Sequence, residues 1–356
     1  MKKIIKERGS VFGNDEAWKE LNSIVDKLNP SKIFVLTDTN TQKHCLSHIR
    51  TNTNFGEKLV EMTMVPGESN KNIDSCMILW EQLSQLGADR KSLLINVGGG
   101  VVTDLGGFVA CTFQRGIEFI NVPTSLLAMV DASVGGKNGV DLGALKNQIG
   151  IIKNPKAVIV DTAFLNTLPP AHFKSGVAEM LKHGLIHSSA YLQRVMEMDA
   201  TNEEELKELV WESIEIKNTV ITEDPFEQGL RKTLNYGHTL GHAIESFCLQ
   251  TSSKQELLHG EAIAIGMVLA NYISSKLFDF PQDLLRDFTA HIKGYYGKVS
   301  FSEEEINEII KLLIFDKKNT NGNIQFVLLN DVAEAKLDCR VNDNLIHESF
   351  NFYSEF

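Results

Sequence analysis

The chain changes grammar near its middle, and that change limits the folds open to it. Up to about residue 165, short β-branched runs alternate with helical stretches: KIFVLTD (32–38), SLLINVGGG (92–100), FINVP (119–123) and AVIVD (157–161). Several are continuously apolar and end in Gly, Asp or Pro, as parallel strands covered on both faces do. This half reads as an open α/β sheet. From about residue 170 helical periods take over, in SGVAEMLKHGLI, EEELKELVWESIEIKNTVI, LRKTLNYGHTLGHAIESF, HGEAIAIGMVLANYISSKL and SEEEINEIIKLLIF. One short β-like run, NIQFVLL (323–329), comes late. The expected architecture is an α/β domain with a parallel-type sheet over residues 1–168, then an all-helical domain over 169–356, with LPPAH (168–172) as the hinge.

At 356 residues, 43% hydrophobic and 23% charged, the chain is too long for one ordinary core and too apolar to be disordered. Its formal charge of -11 argues against a nucleic-acid surface, while leaving room for local basic pockets that bind phosphate esters. The start, MKKIIKERGSVFGND, has the positive end of a signal peptide, but its apolar part is only Ile4 and Ile5. No apolar run approaches the ~20 residues of a membrane helix. A soluble cytoplasmic protein without nucleic-acid or membrane partners is expected. Cys45, Cys76, Cys111, Cys248 and Cys339 form no C-x-x-C pair and read as buried thiols.

NVGGGVVTDLGGF (96–108) follows a strand and opens a helix-like stretch. Consecutive glycines there let the backbone approach a ligand, and the helix N-terminus offers N–H groups and a positive dipole to a pyrophosphate. The alternative is a tight turn needing positive φ. It is not the standard dinucleotide fingerprint, since the third glycine position holds Thr103. Asp38 ends the strand KIFVLTD, where acidic residues bind a ribose or adenine edge, and PGESNK (66–71) is a polar turn able to lie beside it. A dinucleotide becomes the better reading. A second glycine-rich loop, residues 129–150, carries Asp131, Lys137, Asp141, Lys146 and Asn147 and suits phosphate.

The helical half holds several candidate metal ligands. His238 and His242 in LNYGHTLGHAIE lie on one helix face, as do Glu179, His183 and His187 in VAEMLKHGLIH, while LLHGEA adds His259 and Glu261. A catalytic zinc takes three protein ligands and an open position, and His2Glu is a familiar set. Spacing alone does not choose among these.

The strings GGGVVTDLGGF, VPTSLLAMVDASVGGKNGVD, LKNQIG, AEMLKHG, LRKTLNYGHTLGHAIE and HGEAIAIGM, in this order and with similar gaps, resemble the 3-dehydroquinate synthase family across roughly residues 30–330. The resemblance implies an N-terminal NAD-binding domain, a C-terminal helical domain that binds metal and substrate, and an active site in the cleft between them. It makes Glu179, His238 and His259 the ligands of Zn2+ or Co2+, and places His242 at the substrate phosphate with a part in proton handling. His183 and His187 match no functional position.

The implied reaction, a step of the shikimate pathway to the aromatic amino acids, converts 3-deoxy-D-arabino-heptulosonate 7-phosphate to 3-dehydroquinate. The route is oxidation of the C5 hydroxyl by NAD, elimination of phosphate, re-reduction, ring opening and aldol closure, with NAD regenerated. By the same transfer Lys137, Asn147, Asn235 and His242 hold the phosphate, and Arg115 reaches in from the other subunit of a homodimer. Arg231, helped by Lys317 or Lys318, clamps the carboxylate, while Asp131, Lys182 and Lys217 contact ring hydroxyls. NAD contacts fall to Asp38, Glu68, Lys71, Gly99, Gly100 and Val101. Val102, Thr103, Asp104, Thr124, Ser125, Lys137, Lys146 and Thr167 complete that set.

Departures from the family pattern are small. Asn138 and Val140 stand where Thr and Ile are common, Ser125 keeps the hydroxyl of a frequent Thr, and Leu145 replaces a frequent Gly. Sugar-phosphate cyclases acting on substrates without a carboxylate are the nearest rival, and Arg231, Asn235 and His242 discriminate against them. A metal-dependent alcohol or glycerol dehydrogenase would explain the glycine turn and metal but not the phosphate and carboxylate binders. A catalytically silent domain would be missing ligands, and none is missing.

Overall fold

The computed structural model describes residues 2–143, 145–313 and 324–356. The chain divides into two compact units, Met1–Phe173 and Lys174–Phe356.

The first unit is built on a seven-stranded sheet, with β1 (Lys3–Ile4), β2 (Ser10–Gly13), β3 (Ile33–Asp38), β4 (Leu59–Met64), β5 (Leu93–Gly98) and β6 (Glu118–Pro123). A separate antiparallel ribbon follows, β7 (Lys137–Leu142) with β8 (Leu145–Ile152), before β9 (Ala157–Val160) rejoins the large sheet. The order across that sheet is β1-β2-β9-β6-β5-β3-β4, and every neighbouring pair is parallel except β1 with β2. The continuously apolar runs in the sequence are β3, β5, β6 and β9, and β5 and β9 are buried at every position. Strand β4 was not read from the sequence. It is an edge strand, LVEMTM, whose burial is broken at Val60, Glu61 and Thr63.

Helices α1 (Asp15–Leu28), α2 (Thr39–Asn52), α3 (Ile73–Gln85) and α4 (Gly100–Thr112) connect or flank these strands. The core between them packs Phe34, Leu36, Leu94 and Phe119 of the sheet with Leu79 and Leu83 of α3 and Leu105 and Val109 of α4. Each such side chain, fully buried, contributes about 1.5–3 kcal/mol. The chain steps from β3 outward to β4 and then back across to β5. That reversal creates a crevice at the carboxyl ends of β3 and β5, where open α/β sheets bind ligands. Asp38 and Gly98 are the residues at those two ends.

The reading of residues 129–150 as a loop is corrected. Ala128–Ala132 forms a π-helical turn, and Lys137–Leu142 pairs with Leu145–Ile152 as the β7–β8 ribbon. Gly139 serves strand contact, since a Cβ there would lie 2.6 Å from the Ile149 carbonyl oxygen, while Gly143 turns at φ 59°.

The second unit is helical: α5 (Pro170–His187), α6 (Ser189–Met196), α7 (Glu203–Glu223), α8 (His238–Gln250), α9 (His259–Leu277), α10 (Gln282–Tyr296), α11 (Glu303–Leu312) and α12 (Asp343–Glu355). The division between units falls in the first turn of α5. "All-helical" needs one amendment, the antiparallel pair β10 (Phe326–Leu329) and β11 (Ala335–Cys339), which takes up the late β-like run. The sequence LRKTLNYGHTLGHAIESF is not one helix either. Leu230–Asn235 is a 3-10 turn, Gly237 turns left-handed at φ 75°, and α8 starts afresh at His238.

Candidate active site

Three helices of the second unit are drawn unusually close, because glycines stand where their backbones meet. A Cβ at Gly260 would lie 2.0 Å from the carbonyl oxygen of Ser175, and one at Gly237 would lie 2.5 Å from Cγ of Met267. The Gly260 N–H also donates to Ser175 Oγ at 2.9 Å, tying the start of α9 to α5. One turn beyond Ser175 on α5 is Glu179, fully buried. His238 and His259 are the first residues of α8 and α9, so the close crossing brings both imidazoles to this carboxylate. Glu179 Oε1 lies 3.4 Å from His238 Nε2 and 3.7 Å from His259 Nε2, and among the described residues it has no hydrogen-bond partner. The other oxygen, Oε2, accepts from the Lys182 ammonium.

The far nitrogen of each imidazole is held. His238 Nδ1 lies 3.0 Å from the Tyr236 carbonyl oxygen, and His259 Nδ1 lies 3.2 Å from Glu245 Oε2. A neutral imidazole that donates through Nδ1 presents a lone pair at Nε2. Two such lone pairs and a carboxylate oxygen then converge on one point, a donor set that calls for positive charge at its centre. The electrostatics agree. Burial opposes the Glu179 charge, but Lys182 and His238 outweigh it and hold the carboxyl well below the usual range. Burial keeps His238 on the neutral side. Burial also acts against charge on His259, yet Glu245 and Glu179 push its pKa up to about 10, the mark of a space in which these two acids favour positive charge. The residues fit a divalent metal with N and O ligands.

His242, one turn after His238, belongs to the same cluster: its ring centroid is 5.1 Å from that of His238 and 5.6 Å from that of His259. One ring nitrogen from each of the three histidines lies within 4.8 Å of the others. Geometry thus offers a second ligand set in which His242 stands in for Glu179. His183 is buried with Nδ1 2.7 Å from Ser213 Oγ, and His187 is exposed at the end of α5. Glu245 was missed in the sequence. The signal was an acid two turns along α8 from His238, on the same face of a largely apolar helix.

Among the other expected residues of this unit, Lys182, Lys217 and Arg231 are buried, an arrangement foreign to solvated helix faces. Arg231 donates from its backbone N–H to Asp224 Oδ2 at 3.0 Å and from Nη1 to the Pro225 carbonyl at 2.8 Å. Asn235 donates from Nδ2 to Glu227 Oε1 at 2.8 Å. Lys317 and Lys318 lie outside the described residues.

In the first unit the glycine turn is built on size, not on handedness. Gly98, Gly99 and Gly100 are absent from the residues with positive φ, which overturns the tight-turn alternative. A Cβ at Gly98 would meet Val102 at 2.5 Å. With Gly99 as N-cap and the Thr103 N–H bonded to Gly99 O at 3.0 Å, the N–H groups of Gly100, Val101 and Val102 form the open first turn of α4. The side chains of Val102 and Thr103 are buried, and Thr103 Oγ1 donates back to Gly99 O and Gly100 O at 3.2 Å. Thr124 is buried and its N–H donates to Gly98 O at 2.9 Å, while the Ser125 hydroxyl faces Gly99, 3.3 Å from where its Cβ would be. Asp38 caps α2, accepting from Asn40 and Thr41 N–H at Oδ1, both at 2.8 Å.

Lys71, only 4% exposed, joins expected NAD and substrate residues: its Nζ is 2.7 Å from both Asp104 Oδ2 and Asn147 Oδ1. Burial opposes its charge, but Asp104 and Glu68 raise its pKa on balance. Lys146 reaches Glu68 at 3.7 Å. Asp131 lies on the π-helical turn, half-buried, and Lys137 is exposed at the start of β7. Thr167 is exposed, and Arg115 is exposed with φ 71°, between Gln114 at 48° and Gly116 at 115°.

The family model for the 3-dehydroquinate synthase N-terminal region matches residues 61–175, and that for the C-terminal region matches residues 176–319. The 3-dehydroquinate synthase of Parabacteroides distasonis is 42% identical over 338 residues, spanning 94% of this chain and 95% of its own length. That of a Sulfurovum species is 38% identical over 315 residues, 87% of this chain and 86% of its own. Among solved structures, 2-deoxy-scyllo-inosose synthase complexed with carbaglucose-6-phosphate, NAD+ and Co2+ is 25% identical, with a TM-score of 0.84 and 99% of each chain covered. With both family models matched in series and relatives this similar over nearly its whole length, the chain belongs to the 3-dehydroquinate synthase family.

Proposed function

We propose that Glu179, His238 and His259 hold the divalent metal, zinc or cobalt, and that the crevice beside Asp38 and Gly98 holds the NAD, with which this chain performs its family's reaction. That reaction converts 3-deoxy-D-arabino-heptulosonate 7-phosphate to 3-dehydroquinate and phosphate, the work of a carbon–oxygen lyase that closes a carbocycle. When bound, NAD takes and returns a hydride, and the metal lowers the pKa of a substrate hydroxyl. The chain's own residues bind and orient. The open amides of Gly100, Val101 and Val102 suit a pyrophosphate, and Asp38 Oδ2, outside the cap on α2, suits a ribose hydroxyl. Gly99, Thr103, Thr124, Ser125, Glu68, Lys71, Asp104, Lys137, Lys146 and Thr167 complete the proposed NAD contacts. Phosphate-binding roles fall to Lys137 and Asn147 in the first unit and to Asn235 and His242 in the second. Lys182, Lys217 and Asp131 are assigned to ring hydroxyls, and Arg231 to the carboxylate.

The observation that carries the metal reading is Glu179 Oε1, buried without a hydrogen-bond partner among the described residues and facing two Nε2 atoms whose rings are held from behind. His238→Ala should abolish metal binding, whereas His242→Ala should retain metal and lose turnover, as measured by metal content and phosphate release. Equal loss of metal in both would make His242 a ligand.

A homodimer with Arg115 serving the neighbouring copy is part of the reading. Holding Gln114 and Arg115 at positive φ costs of order 1–3 kcal/mol each, an expense that projects an exposed guanidinium. Ile151 and Ile152 leave apolar surface on β8, and Gly116 packs beside the adjoining Lys153. A cytoplasmic location is proposed from the free cysteines, which suit a reducing compartment. Among the described residues no helix is long and apolar enough to cross a membrane.

A further inference from the structure

The two histidines facing Glu179 are supported in different ways. Behind His238 stands a neutral backbone carbonyl, Tyr236 O. Behind His259 stands a carboxylate, Glu245, itself only 6% exposed. Glu245 lies two turns along α8 from His238, so one helix carries both a histidine of the cluster and the acid that orients the other histidine. A buried carboxylate is costly unless paired, and here the pairing is spent on Nδ1 of a ring whose Nε2 points into the site.

We propose that Glu245 is a positioning residue for the metal: it fixes the His259 tautomer with Nε2 as the donor and makes that nitrogen the more electron-rich of the two imidazole ligands. The proposal rests on the metal reading above. A carboxylate behind a ligating imidazole orients the ring and strengthens its basicity, and losing such a partner typically weakens metal binding by about 10–100-fold. The carbonyl behind His238 supplies orientation without charge, so the two ligands are unequal by construction. A purely packing role for Glu245 would hold α8 against α9 and leave the metal's surroundings untouched.

The test uses the full-length protein stripped of metal, titrated with Zn2+ against a competing chelator and with Co2+ for its visible absorption bands. Glu245→Ala is expected to weaken Zn2+ by about 10–100-fold. Glu245→Gln, which keeps the shape and loses the charge, should bind several-fold more weakly than wild type and shift the Co2+ bands. His238→Ala and His259→Ala give the reference for a destroyed site. Glu245→Gln with wild-type affinity and wild-type bands overturns the proposal, and it carries the test alone if the alanine variant does not fold. Wild-type protein whose metal affinity is unmoved by His238→Ala and His259→Ala would instead overturn the metal reading itself. A fall in the metal-free melting temperature with unchanged affinity and bands identifies the packing role.

Discussion

Arg231 is 3% exposed, and its place is set by the turn before it. Asp224 accepts from the N–H groups of Gln228, Gly229 and Arg231, curling residues 224–231 back so that the guanidinium lies against the Pro225 carbonyl. A planar fork held in that way suits a carboxylate through paired hydrogen bonds. Removing one partner of a buried charge pair typically costs about 2–5 kcal/mol. Arg231→Ala should therefore cut kcat/KM for the heptulosonate phosphate steeply while NAD and metal affinities stay at wild-type values. Sedoheptulose 7-phosphate, which lacks the carboxylate, is the control. Wild-type enzyme that cyclises it as well as the acid, or an alanine variant that keeps its activity on the acid, would remove Arg231 from this role.

At the scale of elements, the crossing of α5, α8 and α9 depends on side chains that are not there. Gly260→Ala puts a methyl against the Ser175 backbone and forces α9 away from α5, carrying His259 from Glu179. Overpacking of this kind costs about 1–3 kcal/mol, so the variant should melt lower and bind metal more weakly. Gly294 of α10, where a Cβ would meet nothing within 4 Å, is the counter-case. Gly294→Ala should stabilise by about 0.5–1 kcal/mol with metal affinity unchanged, and a lowered melting temperature would refute that. The elements legible in the sequence were those whose surroundings are uniform. β5 and β9, buried throughout, give unbroken apolar runs. Among the described residues β7 and β8 pair only with each other, and they carry polar or exposed residues such as Lys137, Asp141 and Asn147, so their runs resemble a loop. The break before α8 was hidden because Gly237 is dictated by Met267, thirty residues further on. For the site, residue type and spacing leave Glu179, His183, His187, His238, His242, His259 and Glu261 all eligible, and motif order separates them. Glu245 shares a face of α8 with His238, but the sequence does not show that its partner is His259, at the start of another helix.

For the whole molecule, assembly offers a sharp test. If Arg115 serves the neighbouring copy, mixing Arg115→Ala with His242→Ala subunits generates mixed dimers in which one site regains both side chains. Two inactive preparations should then recover about a quarter of wild-type activity after subunit exchange at equal amounts. No recovery despite exchange, followed by light scattering and a tagged subunit, would place Arg115 in its own subunit's site. A last consequence concerns the order in which the first unit is made. β2 pairs with β9, Ser10 against Ala157 through Gly13 against Val160, so β2 finds its parallel neighbour only after residue 160 has been added. The nascent chain must keep that segment waiting while β3 to β6 collapse, a long-range closure that is slow in sheets of this kind. Until it arrives β9 is an open edge, with its row of unpaired backbone groups available to any other extended chain. Ser10 to Gly13 thus act as the seal of a sheet made mostly downstream of them.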